Sequence, residues 1–342
     1  MKPLSRRETV LDQETKVALL RQPQTYPEKP ARVEAVETHM SWVFLTPQHA
    51  FKLKKPVRYD YLDFSTLAAR KKSCQEEMRL NQRLAPDVYR GVVALTVNAR
   101  GEMQIEGQGE VVDWLVKMRR LPAERMLDYL IRHRALEPVE VHATTEMLAR
   151  FYRESAAIKI SGDEYYKQYA SNVHANYDAL ADPLYELPAA LVESVHEAQK
   201  GFLQRAPELF GLRASEGRII EGHGDLRPEH VCLVSPPVIF DRLEFNRSFR
   251  IIDPADELAF LAMECERLGA PQVEQELFGV YRRITGDYPP PPLVHFYKTY
   301  RACVRARLAI WHLRDLEKSV WPRWRTVAGE YLHLAESYGG KF

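Results

Sequence analysis

Two carboxylates in the second half of the sequence stand in patterns that suit catalysis or metal binding. Asp225 lies in the segment His-Gly-Asp-Leu-Arg-Pro-Glu-His of residues 223–230, which leads into the apolar run 231–234. Asp241 directly follows a second apolar run, residues 238–240, sixteen positions after Asp225. A carboxylate within hydrogen-bond reach of a hydroxyl can accept its proton, and Mg²⁺ prefers hard oxygen ligands of this kind. An isolated aspartate in a glycine-containing turn would more simply be a surface residue, so the prediction rests on the surrounding pattern.

The segment 223–230 resembles the catalytic loop of the protein-kinase-like superfamily, whose pattern is H-x-D-L-x-x-x-N followed by a short strand. The His-Gly-Asp variant is typical of the aminoglycoside phosphotransferase-like branch. The resemblance implies that Asp225 takes or orients the proton of an acceptor hydroxyl, and that Asp241 holds Mg²⁺ over the phosphates of ATP. It also places Arg227 where a cation can neutralise charge on the transferred phosphoryl group, with a solvated arginine as the alternative.

The sequence departs from this pattern at His230, which takes the place of the family's asparagine, the second metal ligand. Neutral imidazole is a softer ligand that suits Mg²⁺ poorly. Three interpretations stay open: His230 binds a metal such as Mn²⁺, it hydrogen-bonds a phosphate or Asp225, or the site is catalytically weakened. Glu244, three residues after Asp241, is a further candidate, either as a metal ligand or as support for one.

The resemblance further implies a lysine on an amino-terminal strand that binds the nucleotide phosphates, paired with a glutamate on the following helix. The segment His-Ala-Phe-Lys of residues 49–52 resembles that strand and assigns the role to Lys52. Lys54 is the alternative, because strand side chains alternate and both lysines point to one face. Glu77 is preferred to Glu76 as the partner, since its spacing places it beside the apolar face of the helix.

A glycine-rich phosphate loop is missing from the expected place before Lys52, since residues 33–51 contain no glycine. Thr38, His39 and Ser41 stand there and could offer side-chain donors to phosphates, but ordinary turn residues are the simpler interpretation. Downstream, residues 111–118 predict a strand that runs into a hinge. The resemblance implies that this hinge binds adenine through its backbone groups. Met118, the last residue of the predicted strand, marks the position of the hinge.

Hydrophobic periodicity divides the chain into a strand-rich part and a mostly helical part. Strands are expected at 41–46, 50–54, 91–97, 103–105 and 111–118, with helices at 13–21 and at 65–84, where Ser65 is the expected N-cap. Further helices are expected at 123–133, 137–155, 188–205, 256–268, 271–284 and 293–317, with a strand island within 219–240.

The resemblance implies an α+β, bilobal protein-kinase-like fold. Its N-lobe, residues 1–120, would contain a small antiparallel sheet and one main helix that bind the nucleotide. Its larger C-lobe, residues 121–342, would be mostly helical and contain the catalytic loop and the metal-binding segment.

Composition narrows the class of protein. The 342 residues contain 48 Lys and Arg against 47 Asp and Glu, a formal net charge of +1, which argues against a dedicated nucleic-acid binder. No apolar run reaches the ~18 residues of a membrane-spanning helix, and the start lacks the apolar core of a signal peptide. A cytoplasmic protein with no membrane or nucleic-acid partner is therefore expected. The four separated cysteines predict buried, reduced thiols.

The family resemblance covers roughly residues 33–318. Further segments resemble a specific group within the family, often labelled aminoglycoside phosphotransferase family enzyme. The likeness rests on Glu-Thr-His at 37–39, Lys-Lys-Pro at 54–56, Leu-Asp-Phe-Ser at 62–65 and Glu-Phe-Asn at 244–246. The segment Asp-Pro-Ala-Asp-Glu-Leu-Ala of residues 253–259 also fits, and we interpret Asp256 as a structural helix N-cap.

The acceptor is expected to be a small molecule other than an aminoglycoside. Aminoglycosides are polycations that need a pocket lined with carboxylates, whereas the helix expected at 293–317 presents Arg301 and Arg305 one turn apart. Arg307 and His312 lie nearby in the sequence. Such a stripe suits an anionic acceptor, and an ordinary solvated basic face is the alternative.

Taken together with the family resemblance, the candidate site residues favour one function. This function is an ATP- and Mg²⁺-dependent phosphotransferase, a small-molecule kinase that acts on a hydroxyl. A kinase-like nucleotide sensor or scaffold with little turnover is the alternative, supported by His230 and the missing glycine-rich loop. Transfer of a nucleotidyl group on the same fold is a third interpretation. The sequence does not name the acceptor, the preferred nucleotide or the oligomeric state.

Overall fold

The computed structural model describes residues 12–59, 61–311, 313 and 317–342. The first elements in chain order are α1 (Gln13–Leu20), β1 (Glu34–Glu37), β2 (Ser41–Leu45), β3 (His49–Lys54), β4 (Arg58–Tyr59), β5 (Leu62–Asp63), α2 (Leu67–Asn81), β6 (Tyr89–Val97), β7 (Met103–Ile105) and β8 (Glu110–Arg119). They are followed by α3 (Leu127–Arg132), α4 (Pro138–Arg153), α5 (Gly162–Leu180), α6 (Ala189–Arg205), α7 (Pro207–Ser215), β9 (Ile220–Glu221), β10 (Val231–Cys232), β11 (Val238–Ile239), β12 (Ile251–Ile252), α8 (Pro254–Arg267), α9 (Val273–Thr285), α10 (Pro291–Trp311) and α11 (Trp321–Gly339).

The chain divides into two compact units. The sheet unit contains the described residues up to Ala123 together with Val238–Arg247, and the helical unit contains the described residues of Glu124–Pro237 and Ser248–Phe342. The predicted α+β class is confirmed, because one unit is built on an antiparallel sheet and the other on helices. The segment Val238–Arg247 groups with the sheet unit, although the sequence analysis placed it with the helical part.

The sheet unit is built on six strands in the order β1-β2-β3-β8-β6-β7, each antiparallel to its neighbours. Side chains alternate along β3, so that Phe51 and Leu53 enter a core with Val17 and Leu20 of α1. Lys52 and Lys54 therefore point to the opposite face. There their ammonium groups contact α2, which packs on β6 and β8.

The start of α2 differs by two residues from the expected start of this helix. The side-chain oxygen of Thr66 accepts the backbone N–H of Ala69 at 3.1 Å, so Thr66 is the N-cap. Ser65, the expected cap, instead donates its hydroxyl to Asp63 at 2.5 Å. Two adjacent hydroxyl residues were both competent to cap, and sequence spacing alone did not separate them.

The helical unit confirms the helices expected in this part of the chain, although α10 ends at Trp311, before residue 317. Helices α7 and α11 were not predicted, and neither was α5. Its inward positions are Tyr165, Tyr169, Val173, Asn176 and Leu180, and their tyrosine and asparagine side chains weakened the apolar signal. The usable signal was the capping box of Ser161 and Glu164.

All four cysteines are buried and free, as expected. No helix in the described ranges has the length and apolar character to cross a membrane.

The cap of α8 is Asp253, and not Asp256 as the sequence analysis proposed. The Asp253 carboxylate accepts the backbone N–H of Ala255 at 2.9 Å. Asp256 lies inside the first turn, where its carboxylate binds Arg301 of α10 at 2.7 and 2.8 Å. Burial raises the pKa of Asp256 although Arg301 opposes that shift. Asp256 is therefore structural, but as an ion-pair partner.

Arg213 of α7 is a heavily paired, buried cation of the helical unit. Its guanidinium, 2% exposed, donates two hydrogen bonds to Asp253 and two to Asp287, at 2.6–2.7 Å. The hydroxyls of Tyr297 and Tyr281 donate to the same carboxylates. This buried pairing joins α7 to the start of α8 and to the loop after α9.

We expect Arg213→Met to cost about 3–5 kcal/mol of unfolding free energy at pH 7, because the buried Asp253 loses its cation and Asp287 keeps only the more distant Arg218, at 3.7 Å. Burial opposes the charged form of Asp287, yet Arg213 holds the pKa of Asp287 below its ordinary value. The wild-type advantage is therefore full above the ordinary carboxyl pKa and is lost as pH falls through the lowered one. Urea unfolding followed by circular dichroism measures both effects.

The control variant is Arg153→Met, at an exposed position at the end of α4, for which a change within about 0.5 kcal/mol is expected. Equal stability of the Arg213 variant and the control would contradict the assignment.

Candidate active site

Glu77 of α2 joins two lysines of β3. Its Oε1 accepts from Lys52 Nζ at 3.1 Å, and its Oε2 accepts from Lys54 Nζ at 2.6 Å. Both lysines that the sequence analysis weighed against each other thus bind the same carboxylate. Glu76, the alternative glutamate, is bound to Arg79 at 2.6 and 2.7 Å on the outside of the helix. The expected pairing of Lys52 with Glu77 is present.

Asp241 completes the outer side of this arrangement. Its Oδ1 accepts from Lys52 Nζ at 2.6 Å, and its backbone N–H donates to the hydroxyl of Tyr89 at 3.2 Å. The backbone of Asp241 has a φ of 62°, the left-handed region that a residue with a side chain adopts only when its surroundings enforce it. Tyr89 was not expected in the site, because no fixed spacing links it to Asp241.

Glu244 lies on the inner side. Its Oε1 accepts from Lys54 Nζ and from the hydroxyl of Ser73, the latter at 3.3 Å. The sequence analysis considered Glu244 only in relation to a metal, and its contact with Lys54 was not foreseen. We call these five residues, Lys52, Lys54, Glu77, Asp241 and Glu244, the lysine–carboxylate cluster.

The electrostatics of the cluster favour the charged forms. Burial opposes the ammonium form of Lys52, but Asp241, Glu77 and Glu244 outweigh it and raise the pKa of Lys52 well above its ordinary value. Burial likewise opposes the charge on Lys54, and Glu244 and Glu77 raise its pKa. Burial also disfavours the carboxylate of Glu244, yet the two lysines keep the pKa of Glu244 below its ordinary value. Lys52, Lys54 and Glu244 are therefore ionised at neutral pH.

The second predicted segment, which we call the Asp225 loop (residues 223–230), lies in the helical unit. Gly224 has a φ of 89°, a conformation that suits glycine, and its N–H donates to the buried carboxylate of Glu257 at 2.5 Å. Arg227 Nε donates to the Asp225 carboxylate at 3.1 Å. The sequence analysis missed Glu257, although it lies in the Asp253–Ala259 segment that carried part of the resemblance.

His230 binds within the Asp225 loop through both ring nitrogens. Nδ1 lies 2.8 Å from the backbone carbonyl oxygen of Asp225, which can only accept, so Nδ1 carries the proton. Nε2 lies 3.2 Å from Arg227 Nη2, which can only donate, so Nε2 is the acceptor. Among the open interpretations, this geometry favours hydrogen bonding to Asp225. Metal binding through Nε2 would require breaking its bond with Arg227.

Asp225 is ionised at neutral pH. Burial opposes its charge, but Arg227, His230, Arg305 and His223 hold the pKa of Asp225 far below its ordinary value. A carboxylate in this state accepts a hydrogen bond from a hydroxyl and orients it, and it takes up a proton only as that hydroxyl loses one.

Other residues singled out in the sequence lie within regular structure. Met118 is buried in β8, paired with Ala50 of β3 and with Tyr89 of β6. The Thr38 hydroxyl donates to the carbonyl of Ser41 at 2.9 Å and accepts the Ser41 N–H at 3.0 Å. These two bonds close the turn between β1 and β2, which agrees with the interpretation of ordinary turn residues.

The arginines of α10 have partners within the helical unit. Arg301 is bound to Asp256, as described above, and Arg305 Nε contacts Glu264 at 3.1 Å and the Tyr331 hydroxyl at 3.3 Å. The guanidinium of Arg307 lies over the Trp311 ring at 4.8 Å. His312 lies outside the described residues. The stripe is therefore not a simple solvated face.

No family model matches the sequence. Among curated proteins, uncharacterized proteins of Mycobacterium bovis and Mycobacterium tuberculosis are 33% identical to this chain over 285 residues. The match covers 81% of this chain, and this chain spans about half of the length of those relatives, since the match covers 54% of them.

Solved structures share the architecture at low sequence identity. Wild-type aminoglycoside 2′-phosphotransferase-IIIa, in complex with GDP, matches with a TM-score of 0.53 at 14% identity, covering 97% of this chain and 100% of the other. A choline kinase from Cryptosporidium parvum matches with a TM-score of 0.53 at 10% identity, covering 96% and 94%. A glucosamine kinase matches with a TM-score of 0.50 at 13% identity, covering 88% and 74%. The chain has the protein-kinase-like fold.

The segments around Asp225 and Asp241 implied a protein-kinase-like fold through their resemblance to that family, and the fold is confirmed. The nucleotide and the substrates in the names of the solved structures belong to those proteins. Fold alone does not assign an activity, and what the side chains of this chain can do must be argued from their own contacts.

We expect the neutral form of the His230 imidazole to carry its proton on Nδ1, because Nδ1 faces a carbonyl and Nε2 faces a guanidinium. A long-range ¹H–¹⁵N correlation spectrum distinguishes the two tautomers, and loss of the signals in His230→Gln assigns them. Arg227→Met should shift the Nε2 resonance, since it removes the donor to that nitrogen.

The exposed His174, whose Nε2 lies 3.5 Å from Asp178, is the internal reference, and its signals should not respond to Arg227→Met. A His230 ring protonated on Nε2 in the wild type would contradict the bonding described for the loop.

Proposed function

We propose that the protein is an ATP-dependent phosphotransferase that acts on a hydroxyl group of a small molecule. The observation that carries the proposal is the position of Lys52, whose ammonium binds both Glu77 of α2 and the aspartate that follows β11. A lysine fixed in this way by a glutamate, beside a metal-binding aspartate, is the arrangement by which protein kinases place nucleotide phosphates. Lys52 is 14% exposed and Asp241 36% exposed, so both are open to a ligand.

The residues present can hold Mg²⁺ when most of its ligands come from phosphate oxygens and water. Within the described ranges no three His, Cys, Asp or Glu side chains are grouped so that they could hold a metal ion. Asp241 offers a hard, partly exposed oxygen donor, and Mg²⁺ in nucleotide sites is commonly held by one or two carboxylates, phosphates and water. When bound, the ion would neutralise charge on the phosphate oxygens.

The remaining roles fall to the Asp225 loop. Its ionised carboxylate would accept the hydrogen bond of the acceptor hydroxyl and orient the oxygen for attack on the γ-phosphorus. As the new O–P bond forms, the bond from the γ-phosphorus to the β-phosphate oxygen would break, ADP would leave, and the hydroxyl proton would pass to Asp225. Arg227, fixed by Asp225 on one side and His230 on the other, would offset the negative charge that develops nearby. These groups act by position and charge, which is how most of the catalysis in phosphoryl transfer is achieved.

We expect ATP with Mg²⁺ to raise the melting temperature of the wild type. A ligand at 100 times its dissociation constant stabilises the native state by about 2.7 kcal/mol. Asp241→Asn should lose the part of the shift that depends on Mg²⁺ or Mn²⁺, and Lys52→Met should lose the part seen without metal. Differential scanning fluorimetry, checked by calorimetric titration, measures these shifts.

The matched control is Asp87→Asn, an exposed aspartate of the same unit, which should retain the full shift. Absence of binding to ATP, ADP, GTP and GDP in both measurements would rule out the phosphotransferase. Binding without any turnover would favour the sensor or scaffold.

We further propose that the acceptor is anionic. Burial opposes the charge on Arg305, but Tyr331, Glu264 and Asp225 raise its pKa, so the guanidinium is charged and close to Asp225. Within the described residues, its hydrogen bond is made by Nε to Tyr331, and no hydrogen bond is made by Nη1 or Nη2. The Nη1 and Nη2 groups of this guanidinium are charge-assisted donors, which can bind a carboxylate or phosphate of the acceptor.

We expect that, in a panel of cationic, neutral and anionic alcohols, the anionic compounds gain a phosphoryl group in a mass-spectrometric assay. For the best acceptor, Arg305→Gln should raise KM by about 10–100-fold and change kcat little, since a charge-assisted hydrogen bond contributes about 1.5–3 kcal/mol.

The control is Arg323→Gln, at an exposed position of α11, which should leave both constants unchanged. Phosphorylation of cationic compounds alone would contradict an anionic acceptor without affecting the proposed reaction.

A further inference from the structure

We infer that Lys54 is a positioning residue: it holds the Asp241 segment on the sheet and keeps Lys52 directed at Asp241. The effect of Lys54 that we expect on nucleotide binding rests on the proposed function. The starting point is that the cluster contains two lysines, although a single lysine is enough to pair with Glu77. The second lysine needs a physical reason, because burying an ammonium group is costly.

Burial separates the cluster into an inner and an outer part. The side chains of Lys54 and Glu77 are fully buried, and Glu244 is nearly so. Lys52 and Asp241 form the outer part, as their exposure shows. A ligand arriving from solvent can therefore contact Lys52 and Asp241, whereas Lys54 acts only through its neighbours.

The charges of the cluster explain what Lys54 does. Two ammonium groups face three carboxylates, so the net charge of the wild-type cluster is −1. Without Lys54 the net charge becomes −2, and Lys52 is the one cation left in the cluster for Glu77, Glu244 and Asp241. The two buried carboxylates would compete for Lys52, because a buried charge is strongly unfavourable when unpaired. Lys54 satisfies both of them and leaves Lys52 available to Asp241.

Lys54 also connects the sheet to the segment that carries Asp241. Its ammonium binds Glu244, three residues beyond Asp241. Between these two anchors, the backbone N–H of Arg242 donates to Asn81 Oδ1 at 2.9 Å, and its guanidinium donates to the Leu80 carbonyl at 2.8 Å. The contact of Glu244 with β3 therefore fixes the far end of a segment whose near end is fixed at Lys52.

The test compares the wild type with Lys54→Met, with the double variant Lys54→Met/Glu244→Gln, and with Lys55→Met. The double variant restores the wild-type net charge of −1 without restoring the lysine. Lys55 is the next residue of the chain, and its ammonium binds the exposed Glu37 at 2.6 Å, outside the cluster. Circular dichroism establishes that each variant is folded before it is compared.

The first readout needs no ligand: amide hydrogen exchange of residues 238–247, measured by mass spectrometry. We expect Lys54→Met to exchange about tenfold faster or more in this segment, because the buried Glu77 and Glu244 lose the cation that they share. The double variant should lie closer to the wild type than the single variant, and Lys55→Met should match the wild type. Wild-type exchange in folded Lys54→Met would overturn the inference, and so would a double variant no better than the single one.

The second readout is the affinity for ATP with Mg²⁺, by calorimetric titration. We expect Lys54→Met to weaken binding about tenfold, with recovery in the double variant, the signature of coupling through Glu244. A folded double variant with wild-type exchange but no recovery of affinity would mean that Lys54 itself contacts the nucleotide, against the inference. If the wild type binds no nucleotide, the proposed function fails, while the exchange data still decide the role of Lys54.

Discussion

The buried carboxylate of Glu77 is the constraint on which the sheet unit depends. It is fully buried, and its two oxygens are bound by two ammonium groups of one strand. A buried carboxylate without a cation is strongly destabilising, so α2 must lie where Glu77 reaches β3. The register of β3 is fixed by the same contact, because a slip of one residue would bring Phe51 and Leu53 to this face in place of the lysines.

The same contact extends to a distant part of the sequence, since the lysines that bind Glu77 also bind Asp241 and Glu244. The helical unit contains a comparable pairing of Arg213 with Asp253 and Asp287, but there all three side chains are buried. Exposure separates the two cases. The Arg213 pairing is closed to ligands and joins elements, whereas the lysine–carboxylate cluster has one buried side that sets geometry and one exposed side that can do chemistry.

The sequence predicted the parts of the fold that depend on local pattern. The longer strands of the sheet and the helix α2 follow from alternation and from helical periodicity. The pairing of Lys52 with a glutamate of α2 was implied by the resemblance, and periodicity favoured Glu77 over Glu76. Helix α5 was missed because tyrosine and asparagine occupy its inward face, and the caps of α2 and α8 were misplaced because neighbouring residues were equally able to cap. The contacts of Lys54 with Glu244 and of Tyr89 with Asp241 join residues more than 150 positions apart. No periodicity reports such contacts, because they exist only after the chain has folded.

His230 shows how one substitution in a motif changes what the surrounding residues must do. An asparagine at this position would offer an amide oxygen, the kind of ligand that Mg²⁺ accepts. The imidazole instead donates to the backbone of Asp225 and accepts from Arg227, so the loop is held together by its own side chains. A loop of this kind offers less to a metal and more to the orientation of Asp225. In the proposed reaction, Arg227 would then supply positive charge from a fixed side chain of this loop. Such charges need no reorganisation when the transition state forms, which is where preorganised electrostatics is most effective.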